Sequence, residues 1–522
     1  MQKQNYTSTE RALKLIVRSS VIVLTTVVLS KLLTWIYRVL IARFYGPESY
    51  GIYSILIMIL SLFVTFGSLG FIDGLFRFVP KYIGENKKRY AKYLVNYSIF
   101  ALIISGVISA ILLYLFSDYF AIHLFKDIKF SRLLKIFSPL ILVWMFSNLF
   151  LTLINSFEKI GWHSLLSDVL SNLSRLIIII FLILIGFSRN AIFISYGLSL
   201  IILFIASYFV FRYFSSRILI GKKIPENVKK EIRKDFISYS WPVIFSGSIG
   251  KLNFWTDSLI IGFFLAPLQV GFYNAAVPIA LLLHIIPELF YPLFLPLITR
   301  TIASKNNLVA RDISKQLGKW IFMINLPIFL FLFIFPGVFI NFIFGKEFLI
   351  AEYSLRILSV GAFISSFLYM SQRLLLVYGK SQVLLMNSII AFISNIILNI
   401  ILVPKYGIMG AAIATSSVWI VLGIIFTIQS SKFTSIISLR RNMITILLLS
   451  IIPLIIILVL RNLVVPSTVS IMLGGILFLV VYGILIYLFG LDKNDILILK
   501  AIKAKVISST LKNKCFNAYN EK

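Results

Sequence analysis

The chain has 522 residues, of which 59% belong to the set Ala, Val, Ile, Leu, Met, Phe, Trp, Tyr and Cys and only 13% are charged; its mean hydropathy is +0.98. A soluble domain averages about 45–50% apolar and about 25% charged, and here the excess falls in continuous runs of about 18 or more residues, each able to cross a roughly 30 Å hydrocarbon core. A soluble domain is excluded, and so is an outer-membrane barrel, whose strands alternate apolar and polar residues over segments of about ten.

In chain order, apolar runs between charge clusters predict fourteen membrane-spanning helices, near 17–41, 50–75, 94–117, 133–156, 164–187, 191–213, 238–263, 270–298, 319–342, 352–376, 382–403, 406–429, 442–461 and 468–490. The basic N-terminus is followed by a full-length span without a small-residue cleavage site, so the first run reads as a retained helix rather than a signal peptide. An even count puts both termini on one side, and Lys and Arg gather on the cytoplasmic side of such a protein. With both termini inside, and with Arg18, Lys135, Arg212, Lys319, Arg373 and Arg461 at span ends counted with the adjoining loops, 36 of the 50 basic residues fall on the inner side and nine on the outer; the other five, Lys31, Arg38, Arg175, Lys251 and Arg356, are counted within spans. The formal charge of +31 is therefore a topology signal together with attraction to anionic headgroups, and nucleic-acid binding is not needed to explain it. These features predict a multi-pass protein of the cell membrane with cytoplasmic termini.

The single cysteine, Cys515, excludes an intrachain disulfide and a cysteine-based metal site. Three scattered histidines, with no H-E-x-x-H, P-loop or C-x-x-C pattern, leave nothing to build a metalloenzyme or an ATP-hydrolysing pump. No catalytic residue, metal or bound cofactor is expected. Two basic stretches mixed with Ile and Leu, 214–237 and 491–522, suit short helices lying in the inner headgroup layer.

The first of these stretches divides the chain into equivalent halves. Lys31, Trp35, Phe44, Pro47, Gly51 and Tyr53 recur as Lys251, Trp255, Phe264, Pro267, Gly271 and Tyr273, each pair offset by 220. Six identities at one offset predict duplicated six-helix lobes, as in transporters built from parallel repeats. The expected organisation is an all-α membrane protein with an N-lobe at 1–213, a cytoplasmic basic linker at 214–237, a C-lobe at 238–429, two further helices within 430–490 and a basic cytoplasmic tail at 491–522.

An ionised side chain at bilayer depth is costly and normally faces protein or a water-filled cavity. Lys31, Trp35 and Arg38 share one helical face, as do Asp168, Asn172 and Arg175. Lys31, Arg38, Arg175 and Lys251 are the candidates for an anionic headgroup in a central cavity. A diphosphate suits them, because Arg meets its oxygens bidentately and Lys as a point charge. The bland alternatives are a structural pair of Arg175 with Asp168, and cations snorkelling to the interface at Arg38 and Arg356. Asp257, Glu288 and His284 are the candidates for coupling to Na⁺ or H⁺, with Asn395, Asn399 and Thr415 adding oxygens; buried Asn in helices rich in small residues also serves as interhelical glue.

The segment NIILNIILVPKYGIMGAAIAT at 395–415 resembles the signature joining helices 11 and 12 in the multidrug/oligosaccharidyl-lipid/polysaccharide exporter superfamily. ARFYGPESYGIYS at 42–54 and DSLIIGFFLAPLQVGFYNAA at 257–276 resemble segments of its polysaccharide-transport branch. The resemblance implies two lobes forming an alternating-access V with two added C-terminal helices. It also implies a flippase that moves a polyprenyl-diphosphate-linked oligosaccharide to the outer leaflet for surface-polysaccharide or glycoprotein assembly. Its expected partners are that lipid-linked substrate, membrane lipids, and a glycan polymerase or transferase. Two rivals are weighed against it. A drug or organic-cation antiporter of the same superfamily favours an acidic aromatic pocket, whereas this one is basic by position. A glycan-transferring enzyme needs large outer loops with catalytic acids, and the longest outer loop, about 118–132, offers only Asp118 and Asp127.

Overall fold

The computed structural model describes the backbone of residues 8–492 except 126, 221–223, 305, 438 and 464–467, and also Asp495; the side chains of 8–24, 245–251, 456–473 and a few single positions lie outside the description. Among the described residues every regular element is a helix, and helices underlie all fourteen predicted spans. Among the described residues eight helices are long and apolar enough to cross a membrane, or ten when two bent pairs each count as one span. The first of the eight, Thr25–Gly67, overlaps two of the predicted spans. Its parent helix, Ser8–Gly67, has 60 residues, about 90 Å at 1.5 Å per residue, far beyond one crossing. Gly46, at φ 78° and followed by Pro47, divides it. A residue before proline is pushed out of the α region, and glycine reaches positive φ without steric cost.

Two other breaks have equally local causes. Predicted span 8 is two helices, Pro267–Ala280 and Leu282–Ala303, with the break at Leu281. The basic stretch 214–237 is not an independent interfacial helix. Its first residues end the helix Ala191–Ile218, and residues from 226 run unbroken into the span Glu226–Phe264. The predicted tail helix in 491–522 lies outside the described residues apart from Leu491, Asp492 and Asp495.

The burial pattern is inverted relative to a water-soluble protein. Leu184, Phe181 and Leu115 are 79%, 61% and 66% exposed, while Ser98, Ser147, Ser195, Ser199, Asn325 and Asn399 are fully buried. Where lipid is as apolar as leucine, helices associate through close packing and small polar residues, and this interior is built that way. Many of the serines return their hydroxyl to a carbonyl three or four residues earlier, as Ser195 does to Ile192 at 2.9 Å and Ser147 to Val143 at 2.7 Å.

The chain separates into two compact units, one of residues 1–280, 339–358 and 382–418, the other of 281–338, 359–381 and 419–522. The first contains a close crossing of backbones from both repeats. A Cβ at Gly51 would land on the Pro267 carbonyl, and one at Gly271 on the Pro47 carbonyl, so the residues matched at offset 220 pack reciprocally. In the second unit, Lys319 is fully buried and bonded to Asp492 at 3.1 Å and to Asp495. Arg440 reaches Asp492 at 3.0 Å, and Trp320 Nε1 donates to Asp495 at 2.8 Å. Gln316 completes the network by donating to Asp495 and accepting from Arg440.

Candidate functional site

Four helices of the first unit converge on one buried carboxylate. Asp257 lies on Glu226–Phe264, Tyr273 on Pro267–Ala280, Asn395 and Asn399 on Ser381–Tyr406, and Thr415 on Ile408–Thr434. The asparagines are four residues apart and so share a helical face. Asp257 Oδ2 accepts from the Tyr273 and Thr415 hydroxyls, each at 2.6 Å, and Oδ1 accepts from Asn399 Nδ2 at 2.9 Å. Asn395 Nδ2 donates to Thr415 Oγ1 at 3.0 Å, and Asn399 Nδ2 also meets the Asn395 backbone carbonyl at 2.9 Å. All five side chains are under 9% exposed.

This cluster is oxygen-rich and carries one formal negative charge. Asn399 Oδ1 is buried without a hydrogen-bond partner, which is costly unless something accepts its lone pairs. Hydroxyls can turn a lone pair toward a ligand as readily as they donate. Oxygen-only sets suit hard cations, and a single carboxylate balances a single positive charge. Among the described residues no group of three or more His, Cys, Asp or Glu forms a metal centre.

The other predicted ion-coupling residues have different neighbours. His284 Nε2 is 2.8 Å from Ser365 Oγ, and its ring stands edge-on to Trp419 at 5.2 Å, all within the second unit. Glu288 follows one turn later on the same helix and belongs to that unit as well. The structure therefore gathers Asp257, Asn395, Asn399 and Thr415, and gives His284 and Glu288 separate surroundings. Tyr273 is a participant the sequence reading passed over; its match to Tyr53 was noted only as a sign of duplication.

Of the predicted phosphate-binding cations, Arg38 and Arg175 both border Tyr53. Lys31 is exposed, and Arg38 is half-buried beside Tyr50 and Tyr53. The side chain of Lys251 lies outside the described residues. Among the described residues Arg175 makes no ion pair with Asp168, and instead sits in an aromatic cage. Its guanidinium lies 4.7 Å from the Tyr196 ring centre and 5.5 Å from that of Tyr37, beside Tyr53, with Nε 3.5 Å from Ser199 Oγ. Asn172, on the same face, bonds Ser30 at 2.9 Å and Thr34 at 3.0 Å and ties span 5 to span 1. Arg356 pairs with Glu352 at 3.3 Å.

Comparison with known proteins places this architecture. The chain is 23% identical over 495 residues to an uncharacterized membrane protein of Methanocaldococcus jannaschii, covering 91% of this chain and 95% of that one. It is 27% identical over 223 residues to a protein of Haloferax volcanii named as a probable low-salt glycan biosynthesis flippase, covering 41% and 46%. Its fold matches that of the lipid II flippase MurJ in an inward closed conformation, with a TM-score of 0.71 at 20% identity over 90% of this chain and 98% of that one. It also matches an inward-facing multidrug resistance transporter of the MATE family, with a TM-score of 0.64 at 15% identity over 80% and 98%. The family described as polysaccharide biosynthesis protein matches residues 16–300, more than half of the chain, which therefore belongs to that family.

Proposed function

We propose that this protein is a flippase that carries a polyprenyl-diphosphate-linked oligosaccharide from the cytoplasmic to the outer leaflet of the cell membrane, driven by Na⁺ held at Asp257. The substrate class follows from membership of a polysaccharide biosynthesis family and from a relative named as a glycan flippase. Lys31, Arg38 and Lys251 meet the diphosphate in this reading, and the polyprenyl tail stays in lipid, where moving it costs nothing in hydrophobic transfer.

The observation that carries the coupling is the Asp257 cluster itself. A proton needs one acceptor, whereas here the Asp257 carboxylate takes bonds from Thr415 Oγ1 and Asn399 Nδ2, with Asn395 Oδ1 and the unpartnered Asn399 Oδ1 in the same buried cluster. A divalent ion would leave a net positive charge buried, which is expensive. Na⁺ satisfies both conditions, and its binding would relieve the unpartnered Asn399 oxygen.

The test reconstitutes the purified protein in liposomes and follows protection of a fluorescent polyprenyl-diphosphate oligosaccharide from an external quencher. Protein-dependent transfer that accelerates with a Na⁺ gradient, and loses that acceleration in Asp257→Asn, is the expected result. Transfer equal to that of empty vesicles would overturn the substrate assignment. Transfer that follows a pH gradient and ignores Na⁺ would overturn the ion.

A further inference from the structure

The 220-residue offset that relates the two lobes also maps the whole Asp257 cluster onto the first lobe. Asp257 corresponds to Tyr37, Tyr273 to Tyr53, Asn395 to Arg175, Asn399 to Ile179 and Thr415 to Ser195. The contacts correspond as well as the numbers. Asp257 meets the Thr415 hydroxyl at 2.6 Å, and Tyr37 meets the Ser195 hydroxyl at 3.0 Å. Tyr273 touches Asp257, and the Tyr53 ring packs edge-on against Tyr37 at 5.8 Å. The first lobe thus contains a counterpart of the site in which the carboxylate and both amide oxygens are gone.

A guanidinium replaces them. Arg175 carries five N–H donors, no acceptor and a permanent positive charge, and it lies over the faces of Tyr37 and Tyr196 with Tyr53 alongside. Tyrosine faces attract cations through their quadrupole, more strongly when water is excluded. We propose that Arg175 is a tethered cation that permanently fills the first-lobe counterpart of the Asp257 site, so that the protein takes up one exchangeable Na⁺ and not two. This inference rests on the cation reading of Asp257. It gives Arg175 a task other than phosphate contact: the first lobe keeps an ion-filled interior throughout the cycle, and only the second lobe fills and empties.

The test counts bound ions by equilibrium binding of radioactive Na⁺ to the full-length protein in detergent. The expected stoichiometry is one for the wild type, none for Asp257→Asn, two for Tyr37→Asp/Arg175→Asn/Ile179→Asn, and one for that triple variant combined with Asp257→Asn. A triple variant that melts near the wild-type temperature yet binds a single ion overturns the proposal, as does a wild type that binds two. A wild type that binds none refutes the Asp257 reading, and the combined variant still reports on the first lobe alone. Should the triple variant fail to fold, Asn395→Arg supplies the converse measurement. It builds a guanidinium into the second lobe and is expected to abolish Na⁺ binding and the rise in melting temperature that Na⁺ produces; Na⁺ binding at wild-type affinity in Asn395→Arg would overturn the proposal.

Discussion

The reciprocal crossing of Gly51 and Gly271 allows a quantitative test of how the two repeats meet. A methyl group at Gly271 would be placed on the Pro47 carbonyl, and one at Gly51 on the Pro267 carbonyl, with no flexible side chain to yield in either case. Overpacking against rigid neighbours costs about 1–3 kcal/mol, and a bias of that size changes a conformational equilibrium roughly 5–150-fold. Gly271→Ala is therefore expected to populate a form in which the turns at 46–51 and 266–271 are separated. Ser49, buried beside this crossing in a groove that Pro267 also lines, can report it. In a Cys515→Ser background, Ser49→Cys should react with a water-soluble maleimide at least five times faster when Gly271→Ala is added. Because one separation relieves both clashes, Gly51→Ala/Gly271→Ala should cost little more than either change alone, against the additivity expected of independent sites. Unchanged labelling, or two fully additive destabilisations, would refute the reciprocal-contact reasoning.

Three further outcomes follow from buried polar groups. Lys319→Met is expected to destabilise the protein by about 3 kcal/mol, the low end for breaking a buried pair because Arg440 still compensates Asp492; a chemical-denaturation shift under about 1 kcal/mol would count against the network. Burial raises the Asp495 carboxyl, but the bonds from Lys319, the Asp492 backbone and Trp320 outweigh it and hold the group below its usual range. Its contribution should therefore be complete above about pH 4, the ordinary value for Asp, and be lost as pH falls further through the lowered value; a melting-temperature series in which wild type and Lys319→Met run parallel below pH 4 would contradict this. Tyr273→Phe removes one of the three donors that orient Asp257, and Na⁺ affinity, read from the Na⁺ dependence of melting, should fall about 10–100-fold, as for other groups that position a ligand.

The sequence revealed the parts of the site that depend on local periodicity and concealed those that depend on long-range packing. Asn395 and Asn399 were legible because a four-residue spacing fixes a shared helical face whatever surrounds it. Asp257 was legible because a carboxylate at bilayer depth demands an explanation. Nothing local distinguishes Tyr273 from the other tyrosines, and Lys319 meets its partners 173 and 176 residues away, beyond the reach of any spacing argument. Arg175 is the instructive case. Its i,i+4,i+7 pattern with Asp168 and Asn172 suggested an ion pair on one helical face, yet the helix passes through a π turn at Leu165–Leu170, which disturbs the 3.6-residue register on which that inference depends. The 220-residue offset would have served better, since a repeat preserves which residues meet even where their chemistry has changed. At positions 37 and 257, 175 and 395, and 179 and 399, one duplicated framework carries Tyr, Arg and Ile on one side and Asp, Asn and Asn on the other. The two sets differ in where the positive charge comes from: a covalently attached side chain in the first lobe, and, on the reading proposed above, an ion drawn from solution in the second.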